Sequence, residues 1–360
     1  MRLEILVNHI QDVCIDNGIY IDFVLRYIVR IYLYFRSRQM CNASPIQVLN
    51  EKKRFAKDAS SRRIAEVPEK ANEQHYCVPP SFFNLVLGEW SKYSCCLFAK
   101  NLNDIGNQGI DKLMDLTEGE EKMLELYCVR SKIQNGMSLL DVGCGWGSLS
   151  LYIAQKYPDC AITAVSNSSE QKKWILTQID TLGIDNVHII TCDVADLKNN
   201  HLGDLESQFD VIMSIEMFEH CKNWTNLLAD LKLFLKPTGH LFIQVFCHKL
   251  LPYHFDDNSW MSRTFFSGGI MPCTDLITYS NVIVKDRWLI NGCHYAQTSK
   301  LWLNNLDKHQ KEILAIFEKK WGTKAAHTQL NRWRMFFIAV EETFKYNKGE
   351  EWMVAHYLLK

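Results

Sequence analysis

The stretch that most constrains this chain is Ser138 to Gly147, Ser-Leu-Leu-Asp-Val-Gly-Cys-Gly-Trp-Gly. The apolar run Leu139, Leu140 and Val142 ends in glycines at every second position, Gly143, Gly145 and Gly147. A periodic segment, Ser148 to Lys156, follows with Leu149, Tyr152 and Ile153 on one side. The pattern predicts a strand, a tight turn and a helix. Glycine at such a turn permits positive φ and close approach of a ligand to the main chain, and the helix N-terminus behind it offers free N–H groups. A dinucleotide fingerprint, G-x-G-x-x-G, would need glycine at position 148 and an acidic residue about 20 residues further on. Serine stands at 148, and the next strand, Ala161 to Val165, runs into Ser166-Asn167-Ser168-Ser169-Glu170-Gln171. This fits S-adenosylmethionine better than a nicotinamide dinucleotide. Taken alone, the glycines would also suit a structural turn in an ordinary α/β protein.

The 360 residues suit one large domain or two modest ones, and 47% hydrophobic content is enough for a real core. A net charge of -1 gives no reason to expect a nucleic-acid partner. Thirteen cysteines without a C-x-x-C pair argue against a zinc site, and no metal is expected. The N-terminus carries Arg2, Glu4 and Asp12 without a clean apolar run, so no secretory signal is read, and reduced thiols in a cytoplasmic protein are expected.

Residues 17 to 38 are rich in Ile, Tyr, Phe, Val and Leu but are interrupted by Arg26, Arg30, Arg36 and Arg38. They are too broken by charge to span a bilayer. A helix packed on the protein's own core is favoured over a basic amphipathic helix lying weakly on a membrane surface. Residues 50 to 72 read as a linker or a solvated helix. Ser81 is the expected N-cap of a short helix carrying Phe82, Phe83, Leu85, Val86 and Leu87, and another helix is expected from about Thr117 to Arg130.

Strands are predicted at 138–142, 161–165, 187–191, 209–214 and 240–246, with helices between them. This alternation argues for a mostly parallel, doubly wound α/β sheet with ligands at the carboxyl ends of its strands. Asp193, in Cys192-Asp193-Val194, sits at the end of the third strand, where it can accept from an adenine amino group, cap the next helix, or do both. The fourth strand leads into Glu216-Met217-Phe218-Glu219-His220. Two carboxylates three residues apart share a face if the turn is helical, and His220 titrates near neutral pH. Lys236-Pro237-Thr238-Gly239 turns the chain into the fifth strand. Residues 247 to 300 interrupt the rhythm with aromatics and histidines (His248, Tyr253, His254, Phe255, Trp260, Phe265, Phe266, Trp288, His294 and Tyr295) and read as a lid over the active site or a second small core. Trp333 to Phe344 reads as a helix, and Asn347-Lys348-Gly349 as the turn into a last strand, Trp352 to Leu359.

With these residues in hand, the chain resembles the coclaurine N-methyltransferase-like enzymes, which share a superfamily with the cyclopropane fatty acid synthases. The matching signatures are His75-Tyr76 with Val78-Pro79, Lys92-Tyr93-Ser94-Cys95-Cys96, Leu140 to Gly147, Ser166-Asn167-Ser168 with Gln171, Glu216 to His220, and Glu351-Trp352-Met353-Val354. They cover roughly residues 70 to 360. The resemblance implies a Rossmann-like class I methyltransferase: a helical N-terminal region over 1–130, then a catalytic domain over 131–360 with a substrate-covering insertion at 247–330. It implies that Tyr93, Ser94, Asp141, Gly143, Gly145, Gly147, Asn167, Gln171, Asp193 and Val194 surround S-adenosylmethionine. It implies that Glu216, Glu219 and His220 handle an amine, with Glu219 and His220 accepting its proton and Glu216 holding its charge. Trp260, Phe265, Trp302, Trp333 and Phe337 are the aromatics expected to stack on a small aromatic amine.

Of the residues that hold bicarbonate in the cyclopropane synthases, Cys95 and Glu219 remain, but Gln244, Phe246 and Leu303 stand where those enzymes carry a histidine, an isoleucine and a distant tyrosine. That favours N-methylation over ring formation on a lipid acyl chain, the alternative reading. The N-methyltransferase branch usually has histidine at the position of Gln244 as well. A nicotinamide enzyme and a cofactor-binding protein without catalysis are the further rivals. A homodimer is compatible with the sequence.

Overall fold

The computed structural model describes residues 13–19, 21–66, 78–101, 104–106, 109–200 and 206–360. Tyr20, the end of the 50–72 stretch from residue 67 onward, and the His75-Tyr76 signature lie outside the described residues. Seven strands form one sheet: β1 Ser138–Val142, β2 Ala161–Ser166, β3 Val187–Thr191, β4 Phe209–Ile215, β5 Leu235–His248, β8 Val284–Ile290 and β9 Trp352–Leu359. The spatial order is β3-β2-β1-β4-β5-β9-β8, while β6 Tyr253–His254 and β7 Ile270–Met271 pair separately. The strands from β3 to β5 run parallel, and β9 runs antiparallel to both its neighbours. The order reverses beside β1, which places the crevice for a ligand at the carboxyl end of β1.

Side chains alternate across the sheet. Leu139 faces one apolar layer, and Leu140 and Val142 face the other. The first layer holds the helices α4 Leu116–Arg130, α5 Ser148–Lys156, α8 Cys293–Lys308 and α10 Thr323–Lys345; the second holds α2 Pro45–Ser60 and α7 Trp224–Leu233. The helix α1 Asp22–Cys41 packs on α10 through Leu25, Leu33 and Met40, and Arg26 and Arg30 pair with Glu342. Its opposite face leaves Ile21, Phe23, Tyr27 and Phe35 more than half exposed. Among the described residues, no helix is long and apolar enough to cross a membrane.

Three expectations need correction. Residues 45–60 are a packed helix rather than a linker: a Ser44–Gln47 capping box starts it, and Val48, Lys52, Phe55 and Ala59 are buried. One apolar contact per turn is enough there because Lys52 lays its stem on the core and pairs with Asp275 at 2.7 Å. Ser81 is not an N-cap; the helix α3 Pro80–Val86 starts at Pro80, whose fixed φ suits a first helical position. The aromatic insertion also returns to the main sheet, because β8 pairs along β9 as an edge strand with mostly polar exposed residues. The Lys236–Gly239 turn survives as a looped-out irregularity, with Leu235 opposite Phe209 and His240 opposite Val211.

Glu351 ties α1 to the ends of β5 and β9. Its carboxylate accepts from Ser37 Oγ at 2.9 Å, Cys41 Sγ at 3.0 Å, His248 Nε2 at 3.2 Å and Lys249 Nζ at 2.6 Å. The amides of Leu250 and Leu251 donate to His248 Nδ1, so the imidazole proton is on Nε2 and points at Glu351. Burial alone would raise the Glu351 pKa, but these donors outweigh it and hold the carboxyl well below its usual range. A depressed folded-state pKa stabilises the fold above the unfolded value of about 4.3, and that stability is lost as pH falls further. Glu351→Gln is therefore expected to cost about 2 kcal/mol or more at pH 7. The gap from wild type should close in urea unfolding below about pH 4. Equal midpoints at pH 7 would show that the cluster does not hold α1.

Candidate active site

The turn after β1 is fixed by backbone bonds. The amides of Gly143 and Cys144 both donate to the Val165 carbonyl at the end of β2, at 3.0 and 2.9 Å. Gly145 has φ of +56°, and a Cβ built there would meet nothing within 4 Å, so the turn leaves open space beside its backbone. Asp141 is buried beneath the turn and accepts from Ser150 Oγ at 2.7 Å; burial raises its pKa to about 6.

This turn floors an open cleft. All ten residues assigned to the cofactor by resemblance except Gly147 line it. Gly147 instead starts α5 with φ of +83° and backs onto Ile175. Ser166 Oγ donates to Gln171 Oε1 at 2.6 Å, which leaves Gln171 Nε2 buried without a partner. Asp193 Oδ1 accepts from the Ala195 amide at 2.8 Å, so the capping role is real, while its carboxylate still lines the cleft. A buried unpaired donor, a half-used carboxylate and an open glycine cradle together fit a polar, adenosine-bearing ligand such as S-adenosylmethionine.

A second, smaller cavity adjoins the cleft. Its walls are Tyr93, Phe246, Phe266, Tyr295, Trp302, Phe336 and Val340, with Glu216 and His220. Tyr93, Glu216 and His220 line both spaces, so they form the boundary between them.

Glu216 follows β4 with φ of +51°. That left-handed residue breaks the helical spacing expected between Glu216 and Glu219, and the two carboxyls do not share a face. Glu216 Oε1 accepts from the Cys95 amide at 3.0 Å and Gln244 Nε2 at 2.8 Å, and its Oε2 accepts from Tyr295 Oη at 2.7 Å. Burial pushes its pKa up, against the opposing pull of Lys92 and these donors. Glu219 lies on a 3₁₀ turn, wholly buried and lining neither space. Its Oε1 accepts from the Phe246 amide at 2.6 Å, while its Oε2 has no partner. Burial and the neighbouring charge of Glu216 push its carboxyl well above the usual range, so Glu219 is the harder of the two carboxyls to ionise. His220 stacks on Phe266 at 5.0 Å, and burial lowers its pKa to about 4, so the ring is neutral at physiological pH.

Of the five aromatics expected around a substrate, Trp302 lines the inner cavity. Phe265 packs behind it, stacked on Phe336 at 4.3 Å, with Trp260 on Phe265 and Trp333 and Phe337 in the same layer. The lining positions are instead Phe266, Phe336 and Val340. The last two sit one turn apart on α10, a spacing visible in the sequence. Lys92 is a further residue not singled out: it is buried, donates to Ser94 Oγ and the Cys95 carbonyl at 2.6 Å each, and lies 5.2 Å from the Tyr127 ring centre. Tyr295 was visible only as one aromatic among many. Leu303, aligned with the distant tyrosine of the cyclopropane synthases, is buried in the apolar core, and the hydroxyl that reaches the site belongs to Tyr295.

Comparison with known proteins shows the family. The family model for mycolic acid cyclopropane synthetase matches residues 65–352. The (S)-coclaurine N-methyltransferase of Thalictrum flavum subsp. glaucum is 32% identical over 355 residues, covering 96% of this chain and 94% of the relative. The crystal structure of a coclaurine N-methyltransferase bound to N-methylheliamine and SAH superposes with a TM-score of 0.89 at 32% identity, covering 97% of this chain and 98% of that one. The cyclopropane-fatty-acyl-phospholipid synthase of Escherichia coli strain K12 is more distant, 29% identical over 253 residues, covering 69% of this chain and 59% of the synthase. The chain thus belongs to the mycolic acid cyclopropane synthetase family of S-adenosylmethionine-dependent methyltransferases, within its coclaurine N-methyltransferase-like branch.

Proposed function

We propose that this protein methylates the nitrogen of a small aromatic amine, of the benzylisoquinoline or phenylalkylamine type. The observation that carries the reading is the shared boundary: an aromatic cavity meets the cofactor cleft at one half-buried carboxylate, Glu216, and one neutral imidazole, His220. The relative whose structure matches over nearly the whole chain was crystallised with N-methylheliamine and SAH, which supports an amine there.

S-adenosylmethionine, when bound along the glycine turn, supplies an electrophilic methyl group. The protein's own residues do the rest. An alkylamine with a pKa near 10 arrives mostly protonated, and only the neutral amine can attack. Glu216 attracts the cation and balances the ammonium that forms. The ammonium gives up its proton to water as it enters, and neutral His220 then presents a lone pair to the remaining amine N–H instead of a competing positive charge. Glu219 acts on the wall rather than on the amine: it accepts the Phe246 amide and so places the Phe246 ring, which packs edge-on to Phe266 at 5.6 Å. The aromatic walls exclude water and hold the nitrogen in line for displacement. We place this activity in the cytoplasm; the twelve free thiols among the described residues support a reducing compartment.

The reading is tested by offering benzylisoquinolines, phenylalkylamines and aliphatic amines of equal basicity. Aromatic amines are expected to be turned over at least about tenfold more efficiently, from cavity stacking. Equal turnover of aliphatic amines would remove the aromatic cavity from the account.

A further inference from the structure

Glu216 is held from behind by residues that touch neither cavity. Arg130 Nη1 lies 2.8 Å from His356 Nδ1, His356 Nε2 lies 2.5 Å from Gln244 Oε1, and Gln244 Nε2 lies 2.8 Å from Glu216 Oε1. These contacts follow one row across the sheet. Trp288 on β8 is paired with His356 on β9, His356 with Gln244 on β5, and Gln244 with Ile215 on β4, the residue before Glu216. At the outer end the Arg130 guanidinium stacks over the Trp288 ring, 4.8 Å from its centre.

The direction of every bond in this row is forced by chemistry. A guanidinium can only donate, so His356 Nδ1 must accept. A neutral imidazole then carries its proton on Nε2, and burial together with the nearby Arg130 charge keeps His356 neutral. Its Nε2–H must meet an acceptor, which sets the Gln244 side chain with its oxygen towards His356 and its NH₂ towards Glu216. Glu216 therefore accepts, as a carboxylate does. Reversing any member would put the Gln244 oxygen against the Glu216 oxygen.

We propose that Arg130, His356 and Gln244 are positioning residues, a one-way hydrogen-bond row that fixes Glu216 as an oriented, proton-free acceptor for the amine cation. The proposal rests on the amine-methylating reading for its consequence, but not for its geometry. Gln244 has a specific part in it. An amide can pass on the direction of the row without binding or releasing a proton, so Glu216 is tuned for charge recognition and not for proton relay through the sheet.

Two measurements test this. In the first, ¹⁵N spectra of the wild-type protein read the tautomer of His356, with its signal assigned by its disappearance in His356→Phe. The expected state is a proton on Nε2 and a bare, accepting Nδ1, shifting to a mixture of tautomers in Arg130→Met and returning in Arg130→Lys. A proton on Nδ1 in the wild type, or an unchanged tautomer in Arg130→Met, overturns the proposal. This readout needs no substrate, so it stands even if the amine reading fails. In the second, Arg130→Met and Gln244→Leu are expected to raise KM for the amine about tenfold or more, the worth of one charge-assisted hydrogen bond. The Kd for S-adenosylhomocysteine should stay within about twofold, and Arg130→Lys should recover most of the loss. Parallel loss of cofactor and amine affinity, or an unchanged KM, would show that the row is only structural.

Discussion

Replacing Glu216 with glutamine is expected to lower kcat/KM for the amine by about a thousandfold, a loss of about 4 kcal/mol in transition-state stabilisation. Binding of S-adenosylhomocysteine, read by calorimetry, should change by less than about threefold, because the substitution keeps the shape of the wall. Among the described residues, Glu216 is the only carboxylate on the boundary between the two cavities, and the Cys95 amide, Gln244 and Tyr295 each donate a hydrogen bond to it. Glutamine retains an oxygen for the first two donors, and the Tyr295 hydroxyl can turn to accept from the new NH₂. The variant therefore removes charge with little change in packing. If turnover fell by less than about tenfold, charge at this position would not be what draws the amine. Glu219→Gln offers a contrast: the Glu219 carboxyl is pushed towards its neutral form and lines neither cavity, so the neutral isostere should cost less than about tenfold.

Gly143→Ala is expected to reduce both cofactor affinity and turnover by at least about a hundredfold, and to lower the thermal midpoint as well. Two effects add. The residue sits at φ of +82°, where a Cβ costs about 1–2 kcal/mol. The new methyl would also lie 2.6 Å from Met217 Cγ and 2.8 Å from Met217 Cβ, too close to Met217's own backbone for a rotamer change to relieve. The chain at Met217 must move, and with it the adjoining Glu216. This links the two halves of the site, since the floor of the cofactor cleft presses on Met217, the residue next to Glu216. Normal S-adenosylhomocysteine affinity in this variant would show that the turn yields more easily than its packing implies.

The part of this site legible in the sequence is the part set by local chemistry. Glycines at every second position can only be a tight turn after an apolar strand, and β1, β3 and β9 begin and end where apolar runs meet turn residues. The Glu216–His220 cluster could be placed near a ligand because it follows the fourth strand at its carboxyl end. Its internal geometry could not be read, because positive φ at Glu216 is imposed by the fold; nothing in the local pattern forbids a regular helical turn there. The cavity aromatics were hidden for a related reason. Trp333, Phe336 and Phe337 are all buried on α10, and only the packing of that helix on the sheet selects Phe336 to face the cavity. Gln244 looked like a departure from its relatives. Its meaning depends on His356, 112 residues away and directly across the β5–β9 ladder.

The most direct test of the central claim uses S-adenosylmethionine carrying a trideuterated methyl group. Purified protein is offered a mixture of aromatic amines and unsaturated phospholipids, and products are read by mass spectrometry. N-methyl transfer and cyclopropanation both add one carbon, but only the first keeps all three deuterons. The account predicts a labelled amine that retains all three, and no labelled lipid. A lipid product that has lost one deuteron would contradict it, and would assign the aromatic cavity to an acyl chain.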